Sequence, residues 1–513
     1  MGNMLLTNVE KSLTLLKKEF GESKDLISKN FFIGNFKAIV LYLNGLSDVP
    51  QVNQFVLEAS KIIVSYEETL EIKEGLKSKE NEIEKEKKCK ETGNRNILDF
   101  VLENVLEISE VKKESKFENV VDEITKGKAV VLVEGEKEAL ILGTDKFKER
   151  AITEPPTSSI LKGPRSGFNE NIKTNLSCIR KILATSDLRV EYLNIGKFTK
   201  TSIAIVYLNA VADKKVVNEI KDRINQIDID GVIDSFYIAS FLEPRKNSMF
   251  KQVGTTEKPD IACAKVLEGR VLIMVDGSPI VLTLPYILLE DLQSSGDYYG
   301  QHFNASFLRI IRFVSLLITI LLPGMYIAVK LHHYKSIPLT FLTTIINTTQ
   351  ELPLTPFAEI IFVLILFEIL YETSLRMPKY LGLALSVVGA LILGDTAVKA
   401  GIISPPAVMF VAVSGITQYT TPDLHSQLSL LRFGFTLAGG ALGFYGIILL
   451  FIFIIHYLND FDSYGTAYLS PFSPYHKEDM QDAFFKTDIT KLKNRPISIP
   501  NKNKKRLKGV WKK

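Results

Sequence analysis

Apolar and polar positions alternate in two different ways along this chain. Up to about residue 306, short apolar runs are separated by stretches crowded with Lys, Glu and Asp; from Phe313 to Ile455 the runs are long and carry few charges. Phe313–Val329 is uncharged throughout and reaches roughly 25 Å as a helix at about 1.5 Å per residue; Phe433–Ile455 is also uncharged and longer. Three less clean runs lie between them: Phe357–Tyr371, Leu381–Ala400 and Ile402–Tyr419. Pro338–Thr349 is too short and too rich in Thr to cross a bilayer, and reads as an interfacial or loop helix.

The polar half contains a duplication. Ala38–Asp48 (AIVLYLNGLSD) matches Ile203–Asp213 (IAIVYLNAVAD), and each is a buried-strand run followed by an amphipathic stretch, Gln51–Val64 and Lys214–Gln226. Further on, Gly127–Gly135 (GKAVVLVEG) matches Gly269–Gly277 (GRVLIMVDG), and each precedes another apolar run, as in a hairpin turning at an acid–Gly pair. The first match is offset by 165 residues and the second by 142, and the charge run Lys73–Glu91 supplies nearly the difference as a solvated insertion. The expected fold is therefore an α/β soluble region of two similar subdomains followed by an α-helical multi-span membrane domain. The expected division is an N-terminal extension (1–29), subdomain 1 (30–150, insertion 73–91), a linker (151–184) marked by Pro155-Pro156 and Lys162-Gly-Pro-Arg165, subdomain 2 (185–306), the membrane domain (307–456) and a basic tail (457–513).

Charge sets the orientation. Arg309 and Arg312 before the first run, Arg376 and Lys379 after the second, and ten Lys or Arg with no acid from Thr490 to Lys513 mark the inner side. An inside tail needs an even number of crossings, so four are expected, with one middle run re-entrant near Gly401 or Pro405-Pro406. The last run carries Gly439, Gly443 and Gly446, a small-residue face suited to close packing within the chain. The N-terminus shows no basic stretch followed by an apolar core, so the soluble region is expected in the cytoplasm. Cys89, Cys178 and Cys263 form no disulfide framework.

Catalytic and cofactor signatures are missing: there is no phosphate-binding loop, dinucleotide fingerprint, zinc spacing or nucleophile elbow, and no enzyme or cofactor is expected. The basic tail adjoins a membrane run, which favours membrane lipid over nucleic acid as its partner. The residues that stand out are the acids inside apolar runs, Glu359, Glu368 and Asp395, because a charge in hydrocarbon needs water, a partner or a function. Asp395 and Lys399 are four apart and can neutralise each other, as can Glu372 and Arg376. Glu359 lies near one end of its run, within reach of water. Glu368 is deeper, has no in-register partner, and is the foremost pore candidate.

Several segments carry a family resemblance. Lys162–Lys181 (KGPRSGFNENIKTNLSCIRK) resembles a hallmark segment of the A-subunit family of spore germinant receptors; Val275–Tyr299 with Phe307–Phe313 resembles its junction into the membrane. Phe367-Glu368-Ile369-Leu370, Arg376-Met-Pro-Lys379 and Ala400-Gly-Ile-Ile-Ser-Pro405 resemble its membrane core. The chain departs from that pattern at Ser166, Asp395 and Lys399. The resemblance implies a subunit of a nutrient receptor in the inner spore membrane. It would work with a transporter-like B subunit and a lipoprotein C subunit, and assemble with copies of itself into a ring that passes ions. The competing readings are a non-conducting scaffold for the other subunits and a secondary transporter; the latter usually needs more spans and an inverted repeat, and neither is visible.

Overall fold

The computed structural model describes residues 5–33, 36–61, 98, 101, 110–145, 162–349, 352–376, 389 and 392–506. The charge run Lys73–Glu91, Pro155-Pro156, Lys379 and half of Leu381–Ala400 lie outside the described residues. The chain divides into two compact units. The first comprises Met1–Glu243, Val253–Pro285 and Ile499–Lys504; the second comprises Pro244–Gln252, Tyr286–Ser498 and Lys505–Lys513.

The first unit contains two five-stranded antiparallel sheets of the same strand order. Helix α1 (Val9–Glu19) precedes β1 (Leu26–Ile33) and β2 (Phe36–Leu43), and residues 49–61 form α2. Then come β3 (Val111–Glu114), α3 (Phe117–Thr125), β4 (Ala129–Val133) and β5 (Ala139–Leu142), giving the order β1-β2-β4-β5-β3. The second set is α4 (Ile172–Ile182), β6 (Leu188–Ile195), β7 (Thr201–Leu208), α5 (Lys214–Asn225), α6 (Ser235–Leu242), β8 (Gly254–Thr256), α7 (Pro259–Glu268), β9 (Val271–Val275) and β10 (Val281–Leu284), ordered β6-β7-β9-β10-β8.

The registers coincide as well as the orders. Ala38 faces Val133 where Ile203 faces Val275, Ala129 faces Leu142 where Val271 faces Leu284, and Glu114 faces Ala139 where Thr256 faces Val281. These pairs keep the sequence offsets of 165 and 142 residues. A one-residue slip would have turned every side chain to the other face, so matching register means matching cores. Strand β2 is apolar on both faces because both are covered: Ala38, Val40 and Tyr42 pack with Val52, Phe55 and Ala59 of α2, and Ile39, Leu41 and Leu43 pack with Val9 and Leu16 of α1 and Val120 and Ile124 of α3.

The repeats extend beyond the boundaries that the strand matches suggest. Helices α1 and α4 are equivalent, each opened by an asparagine cap, Asn8 or Asn171. The acid of each acid–Gly turn binds the helix start: Val9 N–H donates to Glu134 Oε2 at 3.0 Å, and Ile172 N–H donates to Asp276 Oδ1 at 3.1 Å. The glycines follow suit, Gly135 N–H donating to Thr7 O (2.9 Å) and Gly277 N–H to Glu170 O (2.7 Å). Residues 1–29 are thus no mere extension, and 151–184 no mere linker, since each holds the first helix of a repeat. The resemblance segment Lys162–Lys181 is the lead-in and body of α4. At the other boundary, residues 286–306 belong to the second unit, not to the second repeat: Tyr286 stacks obliquely on Tyr468 at 5.6 Å and Leu288 N–H donates to Tyr468 O.

The two repeats meet through a satisfied buried ion pair. Arg180 of α4 donates to Asp25 through Nε (2.9 Å) and Nη2 (2.7 Å), and its remaining donors reach Thr185 O and Leu188 O. Ser23 Oγ donates to the other Asp25 oxygen at 2.6 Å. Residues 499–504 also belong to this unit, with Lys502 N–H donating to Val211 O at 2.8 Å and Asn501 bridging Ala212.

Candidate functional site

The second unit is built on helices α8 (His302–Leu331), α9 (Leu339–Thr349), α10 (Pro356–Arg376), α11 (Pro405–Gln418) and α12 (His425–Asn459). Among the described residues, two helices, α8 and the stretch Pro422–Asn459, are long and apolar enough to cross a membrane, by length and composition.

Helix α12 corrects the expectation of one long last span. Gly443 has φ 62° and ψ −143°, a conformation that side chains disfavour and glycine accepts. The chain folds back there: the rings of Phe435 and Phe451 lie 6.4 Å apart, although sixteen residues of straight helix would separate them by about 24 Å. Phe433–Ile455 is therefore a helical hairpin. Glycines permit its packing, because a Cβ on Gly439 would strike the backbone of Gly324 in α8, and one on Gly443 would meet His332 and His333. His332 Nε2 lies 2.9 Å from Gly440 O, so the hairpin turn sits at the end of α8.

The start of α8 is fastened to the tail. Asp297, 3% exposed, receives Arg309 Nε at 3.1 Å and both Arg312 Nη atoms at 2.7 Å. Arg309 Nη1 continues to Asp482 (2.8 Å) and to the carbonyls of Asp482 and Ala483, and Lys486 Nζ donates to Asp297 O. Burial opposes ionisation of Asp297, but the Arg312 and Arg309 guanidiniums outweigh it and hold the carboxyl below the usual carboxylate range. The two arginines expected to mark the inner side are thus neutralised within the protein.

The three acids singled out from the sequence do not share one site; each has its own basic partner. Glu359 corrects the expectation of an acid reaching water. It is fully buried, takes Ser404 N–H at 2.5 Å and lies 3.5 Å from Lys330 Nζ. Ser404 is the N-cap of α11, so Glu359 compensates the positive end of that helix. Asp395 sits in a π-helical turn, Ile392–Thr396, and pairs with Lys399 at 2.7 Å; both side chains are more than half exposed.

Glu368 has the partner that the sequence did not reveal. Arg432, on the first arm of the hairpin, donates through Nη2 to Glu368 Oε2 at 2.8 Å. The Arg432 side chain is 2% exposed and that of Glu368 32%, so the carboxylate is the end nearer the surface. Behind them runs a buried polar seam. Arg432 Nη1 lies 3.5 Å from Ser414 Oγ, which donates to Thr319 O (2.8 Å); Thr319 and Thr417 hydroxyls are 2.9 Å apart, and Gln418 Nε2 donates to Ser429 Oγ and to His425 O at 2.9 Å each. The His425 ring stacks on Tyr371 at 3.7 Å, one turn beyond Glu368. Sequence reading missed Arg432 because it lies one residue outside the uncharged run that begins at Phe433. An i, i+4 scan finds only partners on the same helix.

Comparison with known proteins finds relatives along nearly the whole chain. Spore germination protein KA of Bacillus subtilis (strain 168) is 32% identical over 508 residues, which is 98% of this chain and 89% of that protein. Spore germination protein A1 of the same organism is 30% identical over 497 residues, 96% of each chain, and the uncharacterized membrane protein YfkQ is 34% identical over 397 residues, 77% of each. Among solved structures, the crystal structure of the N-terminal domain of the A subunit of the Bacillus megaterium spore germinant receptor GerK3 is 26% identical. It covers 55% of this chain and 96% of that one, with a TM-score of 0.40. Residues 14–498 match the family described as Bacillus/Clostridium GerA spore germination protein, and this chain belongs to that family.

Proposed function

We infer that this protein is the membrane subunit of a spore nutrient germinant receptor, which assembles with copies of itself to gate ion release when nutrient is sensed. The observation that carries the reading, beyond family membership, is the buried polar seam through the helical unit. Thr319, Ser414, Gln418, Ser429 and Arg432 are each at most 6% exposed, in a setting where apolar side chains would pack more cheaply. Glu368 stands at the edge of that seam and is the foremost residue for an ion path; Glu359 and Asp395 are secondary, the first engaged by Ser404 and the second by Lys399.

On this reading the subunit resides in the inner spore membrane with its repeats on the cytoplasmic side, beside a transporter-like B subunit and a lipoprotein C subunit. The inclusion of residues 499–504 in the same compact unit as the repeats supports a tail on the side of the repeats.

The test is ion flux through vesicles containing the purified full chain, alone and with the B and C subunits, before and after addition of nutrient. Triggered potassium efflux that needs this chain supports the receptor reading. Efflux that is unchanged when the chain is omitted makes it a scaffold, and accumulation of a solute against its gradient by the chain alone makes it a transporter.

A further inference from the structure

Charged pairs in the helical unit differ in what they join. Asp395–Lys399 and Glu372–Arg376 link residues four apart, so they leave the packing of one helix on another untouched. Lys330–Glu359 joins α8 to α10 at 3.5 Å, but Glu359 is fixed independently by Ser404 N–H. Glu368–Arg432 is different. It joins α10 to the first arm of the α12 hairpin at 2.8 Å, and Arg432 is almost wholly enclosed.

Arg432 is also incompletely satisfied. Among the described residues its Nε has no hydrogen-bond partner, and Nη1 has only the 3.5 Å approach to Ser414. A guanidinium presents five donors in a rigid fork, and a buried one with open donors depends on its single counter-charge. Among the described residues this is the ion pair that joins α10 to α12, and its two ends are unequally enclosed. The carboxylate is the end that can swing outward, whereas the guanidinium stays behind in the protein.

We propose that Arg432 is the positioning residue for Glu368, and that their pair is a latch that must part before an ion can pass along the seam. The proposal rests on the ion-gating reading above. While latched, the seam carries no net charge and Glu368 attracts no cation; once parted, it presents a carboxylate on one helix and a guanidinium on the other. Loss of either charge therefore unlatches it. Without Glu368 the buried guanidinium has no counter-charge and is drawn toward water; without Arg432 the carboxylate is free to leave.

The test uses the full chain in phosphatidylethanolamine–phosphatidylglycerol vesicles with the other receptor subunits, reading potassium efflux without nutrient, normalised to chain abundance. Glu368→Gln and Arg432→Gln should each raise this basal efflux about tenfold, and the exchange Glu368→Arg with Arg432→Glu should return it to within about twofold of wild type, as coupled residues do. Arg432→Lys keeps the charge without the fork and should leak to an intermediate degree. A merely structural pair would change abundance but not the efflux of the chains that remain. Single variants as tight as the wild type, in vesicles where the wild type still answers nutrient, overturn the latch and leave the receptor reading standing. A wild type that never conducts with all subunits present overturns both. If the single variants do not accumulate, the exchange variant decides: tight and nutrient-responsive supports the latch, while leaky or absent overturns it.

Discussion

Glu359 and Asp395 are both carboxylates in largely apolar stretches, and their surroundings give them different weight. Glu359 has no exposed surface and holds Ser404 N–H and Lys330, whereas the Asp395 side chain is 54% exposed and its partner Lys399 is 74% exposed. Neutralising Glu359 leaves Lys330 enclosed without a counter-charge and weakens the acceptor at the start of α11. Glu359→Gln should therefore lower stability by about 2 kcal/mol, within the range for unmaking a charged buried hydrogen bond. Asp395→Asn should change it by no more than about 0.5 kcal/mol, as exposed i, i+4 pairs do. Thermal unfolding of both variants in detergent, followed by intrinsic fluorescence, checks the contrast; equal shifts would mean that Glu359 is not enclosed as described.

Among the elements, the α12 hairpin departs most from the sequence pattern. Its turn needs only Gly443, since Leu442 and Phe444 keep helical backbones on either side. Cysteines placed at Phe435 and Phe451, with the three native cysteines replaced, should be joined by a short bifunctional maleimide, because the native rings are 6.4 Å apart. A straight helix would hold the two positions about 24 Å apart and give no cross-link. Gly443→Ala should cost about 1–3 kcal/mol for the backbone conformation alone and reduce cross-linking in the same pair.

At the scale of the whole molecule, two charged networks hold segments distant in sequence. Arg180 is 1% exposed and, among the described residues, gives Asp25 its one opposite charge, so Arg180→Ala should destabilise the protein by about 3–5 kcal/mol. Replacing both partners with apolar residues should recover much of that loss; chemical unfolding of the two variants measures the difference. The Asp297 network makes a prediction about pH. Its carboxyl titrates below the unfolded value of about 3.9, so its contribution is complete above that value and is lost as pH falls through the folded one. The unfolding midpoint should drop as pH falls below about 4, and Asp297→Asn should flatten that part of the curve. An Asp297→Asn profile parallel to wild type would show that another carboxylate governs the acid limb.

Much of the soluble architecture was legible because it is written twice. Strand runs such as AIVLYL and IAIVYL are buried on both faces, so they appear as continuous apolar segments, and their separation fixes register without reference to the fold. The same reading placed the boundaries too far along, because α1 and α4 correspond at scattered positions, such as Asn8 and Asn171, Leu13 and Leu176, and Lys18 and Lys181, and not in a continuous apolar run. Their equivalence lies in Glu134 and Asp276, which reach back 125 and 104 residues to cap them. Sequence also marked Glu359, Glu368 and Asp395 as acids that hydrocarbon would not tolerate alone. It could not assign their partners: Asp395 meets a neighbour on its own helix, whereas Arg432 reaches Glu368 across 64 residues. Hydropathy likewise made one span of Phe433–Ile455, since composition counts apolar residues and does not register the backbone angle of one glycine. Local pattern determined which segments are strands, helices or apolar. Burial, charge pairing and the reversal at Gly443 are properties of chain segments meeting in space, and only the tertiary structure decided them.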